Sequence, residues 1–456
     1  MLPLNLPEPL IQSLQHVKGF DEAGFKAVHG SGEQVTSIRK NPAKIFPGQH
    51  LTNPVPWSSN GYYLAERPSF TLDPLFHAGA YYVQEASSMF VEQALKQTVD
   101  LSQPIKVLDL CAAPGGKSTL IQSLISSNSL LVSNEVIKTR VNILSENITK
   151  WGGENVIVSN NDPKEFQRLE NYFDVIVIDA PCSGSGLFRK DPSAIEEWSI
   201  NNVQLCSQRQ QRILADVFSS LKEDGVLVYS TCSYSEEEDE NICDWIKDMF
   251  RVESLELRVD GTWGIVETES KKFKAKGYRF YPGKVKGEGF FIAAFRNKGA
   301  AGFNQQNGKE RTLPGKVSKN EIEIIGPWLK DPGDHFFIRQ NEEIIAMPLH
   351  LQDELALLQS SLYIKKAGVR MGAVIRNELI PHHELALSTI TNSSVPGCEV
   401  DLETALQYLR KQDIKINESI KGWALIKYRQ LPLGWVKILP NRVNNYYPKE
   451  WRILNK

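Results

Sequence analysis

The chain has 456 residues, of which 41% are apolar and 23% charged, with a formal net charge of −2. At roughly 100–200 residues per domain it should hold two to four domains, and so ordinary an apolar share excludes a mostly disordered or collagen-like polypeptide. No apolar run approaches the roughly 18 residues of a membrane helix, and Lys18, the first basic residue, comes too late for a secretory leader, so the expected setting is the cytoplasm with no membrane partner.

Residues 1–75 mix Pro42, Pro47, Pro54 and Pro56 with polar turns and read as a small N-terminal α+β subdomain, with a helix near Glu8–Val17 and strands around Ser37–Arg39 and Tyr62–Leu64. Over residues 76–297 the pattern alternates. Strands are expected at Ile105–Leu110, Leu130–Ser133, Val156–Ser159, Asp174–Asp179, Val226–Ser230 and Phe290–Phe295, and helices at Lys117–Ser126, Val136–Trp151, Val203–Leu221 and Glu236–Met249. Such alternation predicts an α/β domain with a doubly wound, Rossmann-like, mainly parallel sheet. Residues 298–319, rich in Gly, Asn, Gln and Lys, read as a linker; an intermediate α+β module (320–394) and a last small β module (395–456) follow. The final module hides a charge asymmetry: from Arg410 to Lys456 there are 11 basic and 3 acidic residues, interleaved with Trp423, Tyr428, Trp435, Tyr446, Tyr447 and Trp451. That combination suits a nucleic-acid surface, and equally a small β domain with an aromatic core.

The chemistry-bearing residues fall at strand ends. The first strand of the alternating domain runs into Val107-Leu-Asp-Leu-Cys-Ala-Ala-Pro-Gly-Gly-Lys-Ser-Thr119, a strand, a small-residue loop and a helix start that together form a nucleotide-binding corner. Gly115 and Gly116 let a ligand lie against the backbone. The loop is not a P-loop, because the glycine required five residues before Gly116 is Cys111. Glu135 ends the second strand, placed to accept from ribose hydroxyls, and Asp162 follows the third, placed to accept from an adenine amino group. The fourth strand delivers Asp174-Val-Ile-Val-Ile-Asp-Ala-Pro-Cys-Ser-Gly-Ser-Gly186 and the fifth Val226-Leu-Val-Tyr-Ser-Thr-Cys-Ser233, so Asp179, Cys182 and Cys232 should meet at one sheet edge. The six cysteines come no closer than eleven residues, so no zinc spacing is present and no metal is expected; two thiols in one site point to nucleophilic or acid–base work. The acidic run Glu236–Glu240 suits a helix N-terminus and reads as structural.

These motifs, with His77-Ala-Gly-Ala-Tyr-Tyr-Val-Gln-Glu-Ala-Ser-Ser88 and Gly287-Glu-Gly-Phe-Phe291, resemble the signatures of the Fmu/Sun/Nop family of RNA (cytosine-C5) methyltransferases over about residues 1–297. The tail, with Gly434-Trp-Val-Lys437 and Asn445-Tyr-Tyr-Pro448, resembles the PUA-like extension of bacterial members that modify small-subunit ribosomal RNA. The resemblance implies a class I S-adenosylmethionine-dependent fold, RNA-binding roles for the N-terminal subdomain and the PUA-like module, and a monomer acting on 16S ribosomal RNA or the small subunit. It implies Cys232 as the nucleophile towards C6 of cytosine, Cys182 in product release, and Asp179 near N3 of the base, protonated so that it can donate. Cys111, Ala112, Ala113, Pro114, Gly115, Gly116, Lys117, Glu135, Asp162 and Asp179 would line the cofactor site, and Lys190, in Phe188-Arg-Lys-Asp-Pro192, would point a cation towards RNA. Where the family often has Pro-His before Gly-Glu-Gly-Phe-Phe, this chain has Pro282-Gly283, which weakens any role for a histidine there. A buried target base would have to be unpaired or flipped out. Two other readings stay open: the same chemistry on transfer RNA, and a non-catalytic RNA-binding assembly factor, which loss of a motif cysteine or of the Gly-Gly loop would mark; neither is lost.

Overall fold

The computed structural model describes residues 6–47, 51–299, 313, 315–416 and 420–454. Most of the expected 298–319 linker lies outside the described residues.

The N-terminal segment carries the expected helix as Glu8–Leu14 and a second one, Glu22–Gly30, that its weak apolar period concealed. Strands β1 (Thr36–Lys40), β2 (Gly61–Leu64) and β3 (Tyr81–Val83) form an antiparallel sheet in the order β2-β1-β3. Arg39 of β1 is buried and reaches out of this sheet.

The alternating region builds a large mixed sheet. Its parallel heart is β4 (Lys106–Asp109), β5 (Leu130–Asn134), β6 (Val156–Ser159), β7 (Phe173–Asp179) and β8 (Leu221–Thr231). Runs such as Leu130-Leu131-Val132 and Val175-Ile-Val-Ile178 are wholly buried because helices cover both faces, which is why these strands read as unbroken apolar stretches. The chain winds outward through β4, β5 and β6, then returns to lay β7 and β8 on the other side of β4. The β4/β7 boundary is therefore the point where winding reverses, and the carboxyl ends of these strands open a crevice there.

Beyond β8 the sheet turns antiparallel. It continues through β12 (Phe290–Asn297) and β11 (Lys276–Phe280) to β10 (Val266–Glu269), with β9 (Val252–Leu255) also paired to β12. The expected helix Val203–Leu221 runs Ile200–Val217, because the chain turns at Phe218–Ser220 and is already extended at Leu221. The expected helix Glu236–Met249 divides into a 3-10 turn at Glu236–Glu238 and a helix at Glu240–Met249.

The intermediate segment forms β13 (His335–Gln340), β14 (Glu343–Pro348), β16 (Val369–Ile375) and β17 (Glu378–Pro381) as one sheet, while β15 (Ile364–Ala367) leaves it to pair antiparallel with β6 at the edge of the central sheet. Asn161 fastens this join: its Nδ2 donates to Tyr363 O at 3.0 Å and its Oδ1 accepts from Tyr363 N at 2.9 Å. The last segment forms β18 (Gly397–Glu399), β19 (Gly422–Tyr428), β20 (Leu431–Leu439) and β21 (Arg442–Asn445), a sheet in that order. Its inner residues Cys398, Tyr408 and Val436 share one apolar cluster with Ile38, Leu75 and Tyr81 of the N-terminal part.

Candidate active site

Strands β7 and β8 run parallel with Asp179 opposite Ser230, so the loops leaving them start side by side. Cys182 lies three residues beyond the first strand end and Cys232 one beyond the second, and their sulfurs stand 3.0 Å apart. The close approach of the loops depends on Gly186: its N–H donates to Cys232 O at 2.8 Å, and a Cβ there would sit 2.7 Å from that oxygen and 2.6 Å from Gly289 O. The hydrogen bond to Cys232 and burial push the Cys182 thiol well up, so Cys182 keeps its proton at neutral pH.

Behind the thiols sits a polar network that the sequence reading took for a helix-start charge run. The Glu238 carboxylate is buried and accepts from Ser183 N at 2.7 Å, Ser183 Oγ at 2.5 Å, Ser233 Oγ at 2.6 Å and Gln210 Nε2 at 3.3 Å. Asp239 accepts from Thr231 Oγ1 at 2.6 Å, and Glu240 pairs with buried Arg279. Among the acidic residues Glu236–Glu240, three are thus interior.

At the carboxyl ends of β4 and β7 a cleft of about 540 Å³ is lined by Cys111–Pro114, Gly116, Lys117, Asp179 and Lys190, together with Tyr82–Glu85 and Ser88. Lys117 Nζ lies 2.7 Å from Asp179 Oδ2, and Ser230 Oγ lies 3.0 Å from Asp179 Oδ1. Burial pulls the Lys117 ammonium down, but the adjacent Asp179 carboxylate outweighs it and leaves the group above its ordinary value. The Cys111 thiol is pushed up by burial and is an inert part of the wall.

Gly115, Glu135 and Asp162 are not in the lining of this cleft. Gly115 adopts φ +114° and backs onto the helix Lys138–Trp151, where a Cβ would meet Leu144 Cδ1 at 3.3 Å; only Gly116 offers bare backbone to the cleft. Glu135 is buried, accepts from Ile137 N at 2.8 Å and faces Arg140 at 3.4 Å, while Asp162 caps the following turn by accepting from Lys164 N at 3.1 Å. Lys190 is exposed at the mouth, where it also borders a second groove of about 420 Å³ walled by Gln34–Ser37, Arg67 and Glu288.

Arg39 is a supporting residue that sequence reasoning missed. From β1 it donates to Thr119 Oγ1 at 2.6 Å, to Gly116 O at 3.2 Å and to Gln84 Oε1 at 2.7 Å, and so ties the N-terminal sheet to the start of the loop helix. Its only sequence signal is that an arginine occupies a strand whose neighbours are all inward. Among the described residues no cluster of three or more His, Cys, Asp or Glu is placed to hold a metal ion, and no helix is long and apolar enough to cross a membrane.

Comparison with known proteins gives three family matches: 16S rRNA methyltransferase RsmB/F over residues 96–296, the N-terminal domain of 16S rRNA methyltransferase RsmF over 6–86, and the methyltransferase RsmF PUA domain over 396–453. Ribosomal RNA small subunit methyltransferase F of Vibrio vulnificus (strain YJ016) is 31% identical over 441 residues, covering 91% of this chain and 90% of its own. The same-named protein of Vibrio cholerae serotype O1 (strain M66-2) is 29% identical over 472 residues, covering 98% of each chain. Among solved structures, a methyltransferase homolog protein from Pyrococcus horikoshii superposes with a TM-score of 0.51 at 29% identity, covering 64% of this chain and 100% of its own. NSun6 from Pyrococcus horikoshii with SFG has a TM-score of 0.54 at 20% identity, covering 64% and 98%, a likeness of fold.

Proposed function

The chain belongs to the RsmF family of 16S ribosomal RNA methyltransferases, and on that premise we propose that it methylates carbon 5 of a cytosine in 16S ribosomal RNA through a covalent Cys232 adduct. The observation that carries the reading is the 3.0 Å pairing of Cys182 with Cys232 just beyond the ends of β7 and β8, where Asp179, at the end of β7, lines the cleft together with the small-residue loop.

The cleft fits S-adenosylmethionine. Ala112, Ala113 and Pro114 give apolar flanks, Gly116 gives bare backbone, and the partly exposed Asp179 carboxylate gives a cationic sulfonium an anion to approach. We assign Cys111–Lys117 and Asp179 to this site, and Glu135 to shaping the loop beside it. Bound there, S-adenosylmethionine supplies the electrophilic methyl carbon that C5 captures.

Cytosine C5 is a poor nucleophile until C6 is saturated. Cys232, as the thiolate, forms the Sγ–C6 bond, and the C5=C6 electron pair shifts into the ring and makes C5 enamine-like. Asp179 and Lys117 face the base as an ion pair, and the Lys117 ammonium offsets the negative charge gathered at N3 and O2. After methylation the C5 proton passes to water, the C5=C6 bond re-forms, and the Sγ–C6 bond breaks with its electron pair returning to Cys232. Cys182, the thiol that retains its proton, donates a hydrogen bond to the departing sulfur. Lys190 at the mouth would contact RNA phosphate. The target cytosine enters unpaired or flipped, and the cytoplasm, where small subunits are assembled, is the matching compartment.

The test is transfer of labelled methyl to small ribosomal subunits, free 16S RNA and bulk transfer RNA, all lacking the modification, followed by bisulfite sequencing. Label at a single unconverted cytosine in subunits or 16S RNA is the expected result. Label confined to transfer RNA would change the substrate, and no label with cofactor binding intact would favour a non-catalytic assembly factor.

A further inference from the structure

The loops bearing the two thiols are fastened to each other by one buried carboxylate. Ser183, the residue after Cys182, gives Glu238 both its N–H and its hydroxyl, at 2.7 and 2.5 Å. Ser233, the residue after Cys232, gives it a hydroxyl at 2.6 Å. Gln210, from the helix Ile200–Val217, adds an amide N–H at 3.3 Å and also donates to Pro181 O at 3.1 Å. Tyr229 closes the far side, donating its hydroxyl to Glu238 O at 2.7 Å. Four donors converge on one side chain that has no exposed surface.

We propose that Glu238 is a positioning residue for methyl transfer, clamping the Cys182 and Cys232 loops so that both sulfurs face the same ring edge. The proposal rests on the two-thiol reading of the site and adds a residue that touches neither substrate nor cofactor. A carboxylate is suited to this place because it accepts only: two hydroxyls and two N–H groups can all point inward without any of them being asked to accept. Replacing it with an apolar side chain would leave those donors buried and unpaired, and each loop free to move relative to the other.

The clamp also carries charge. Glu238 lies behind Cys182 and raises its thiol further, after the hydrogen bond to Cys232 and burial. The other ionisable groups around the pair are Lys117 and Asp179 on the cleft side, Cys206 on the helix Ile200–Val217, and Asp239, Glu240 and Arg279 on the far side of the network. Burial raises the Glu238 carboxyl itself, opposed by the hydrogen bonds from Ser183 and Ser233, and its charge lies behind Cys182.

The test compares wild type, Glu238→Gln, Glu238→Ala and the double variant Ser183→Ala/Ser233→Ala in single-turnover methyl transfer, adduct formation, RNA and cofactor binding, and thermal unfolding. Gln keeps the shape, and the serine hydroxyls can rotate to accept from its amide. Its unfolding temperature should therefore stay near that of wild type, while the alkaline limb of activity moves about one pH unit lower and the transfer rate falls roughly tenfold with RNA binding unchanged. The double variant, which removes the tie while leaving the acid, should lose on the order of 10²-fold in rate, as a misplacement near 1 Å does. If Glu238→Ala fails to fold, the Gln and double-serine variants decide. Wild-type rate and pH profile in both would overturn the clamp, and so would a loss of rate that merely follows loss of RNA binding. Absence of any Cys232 adduct in the wild type would overturn the two-thiol reading itself, whereas an adduct there with unaltered variants removes only the role of Glu238.

Discussion

Two cysteines 3.0 Å apart share one fate at rest but not one role. Cys182 is driven up by its bond to Cys232 and by burial, and so keeps its proton in the neutral range. On the proposed mechanism Cys232 is the attacking sulfur and the loop Cys111–Lys117 holds the cofactor, so Cys232→Ala should abolish transfer while cofactor binding stays near wild type. On the same mechanism, removing Cys182 leaves attack intact and takes away the donor to the leaving sulfur. Cys182→Ala should then accumulate a denaturation-resistant protein–RNA adduct on gels and turn over about 10²–10⁴-fold more slowly, the range of a lost acid–base group. Rapid turnover without adduct in Cys182→Ala would reverse the assignment. Cys182, Cys232 and Asp179 were legible in the sequence because each follows an apolar strand directly, so strand order alone brings them to one edge. Glu238 was not, because five consecutive acidic residues look like a solvated helix start; what buries the third is a pair of serines whose approach depends on the fold. The two adjacent glycines look interchangeable in the sequence, and only the helix packed against Gly115 shows that Gly116 is the one lining the cleft.

At the scale of elements, the parallel strands β4 to β8 could be found from their continuous apolar runs, since burial on both faces leaves no alternation to misread. The antiparallel edges could not. β10 and β11 mix Glu267, Glu269, Lys276 and Arg279 with short apolar stretches, and β15 pairs with β6 across about two hundred residues of chain. The Asn160-Asn161-Asp162-Pro163 segment shows the consequence: read as a ligand-facing loop, it has Asn161 holding β15 in place and Asp162 capping a turn. A second tie on this side is pH-dependent. His335, at the start of β13, points Nε2 at Glu154 Oε2 at 2.5 Å and Nδ1 at Asp331 O at 2.8 Å. Both partners are acceptors, so both ring nitrogens donate and the ring is an imidazolium. Burial opposes that charge, but the Glu154 bond prevails and the folded value is raised above 6.5. A raised histidine contributes its stability in full below the unfolded value and loses it as pH climbs through the folded one. His335→Ala should therefore cost about 2 kcal/mol in urea unfolding near pH 6, the size of a hydrogen bond to a charged group, and clearly less near pH 9. An equal cost at both pH values would show that the imidazolium pair adds nothing.

At the scale of the whole molecule the terminal segments cannot be treated as appendages. The last β sheet shares its apolar core with the N-terminal sheet through Ile38, Leu75, Tyr81, Tyr408 and Val436, and Trp423 and Trp435 pack into the cluster of the intermediate segment. Truncating residues 395–456 would uncover those surfaces and confuse loss of RNA contact with loss of fold. The aromatic residues that made the tail look like an RNA surface are largely this core: Trp423, Trp435 and Tyr447 are buried, and of the six only Tyr446 is exposed. The charge, by contrast, is outside. Lys421, Arg429, Arg442 and Lys449 are exposed on the terminal module. Ionic contact with single-stranded RNA releases about 0.7 counterions per neutralised phosphate, so the slope of log affinity against log salt counts the contacts. Replacing these four residues with Gln should flatten the slope by up to about 3 while leaving the unfolding temperature and cofactor binding unchanged. An unaltered slope would move the RNA footprint off this module and onto the basic groups around the cleft mouth, where Arg67 and Lys190 border the second groove.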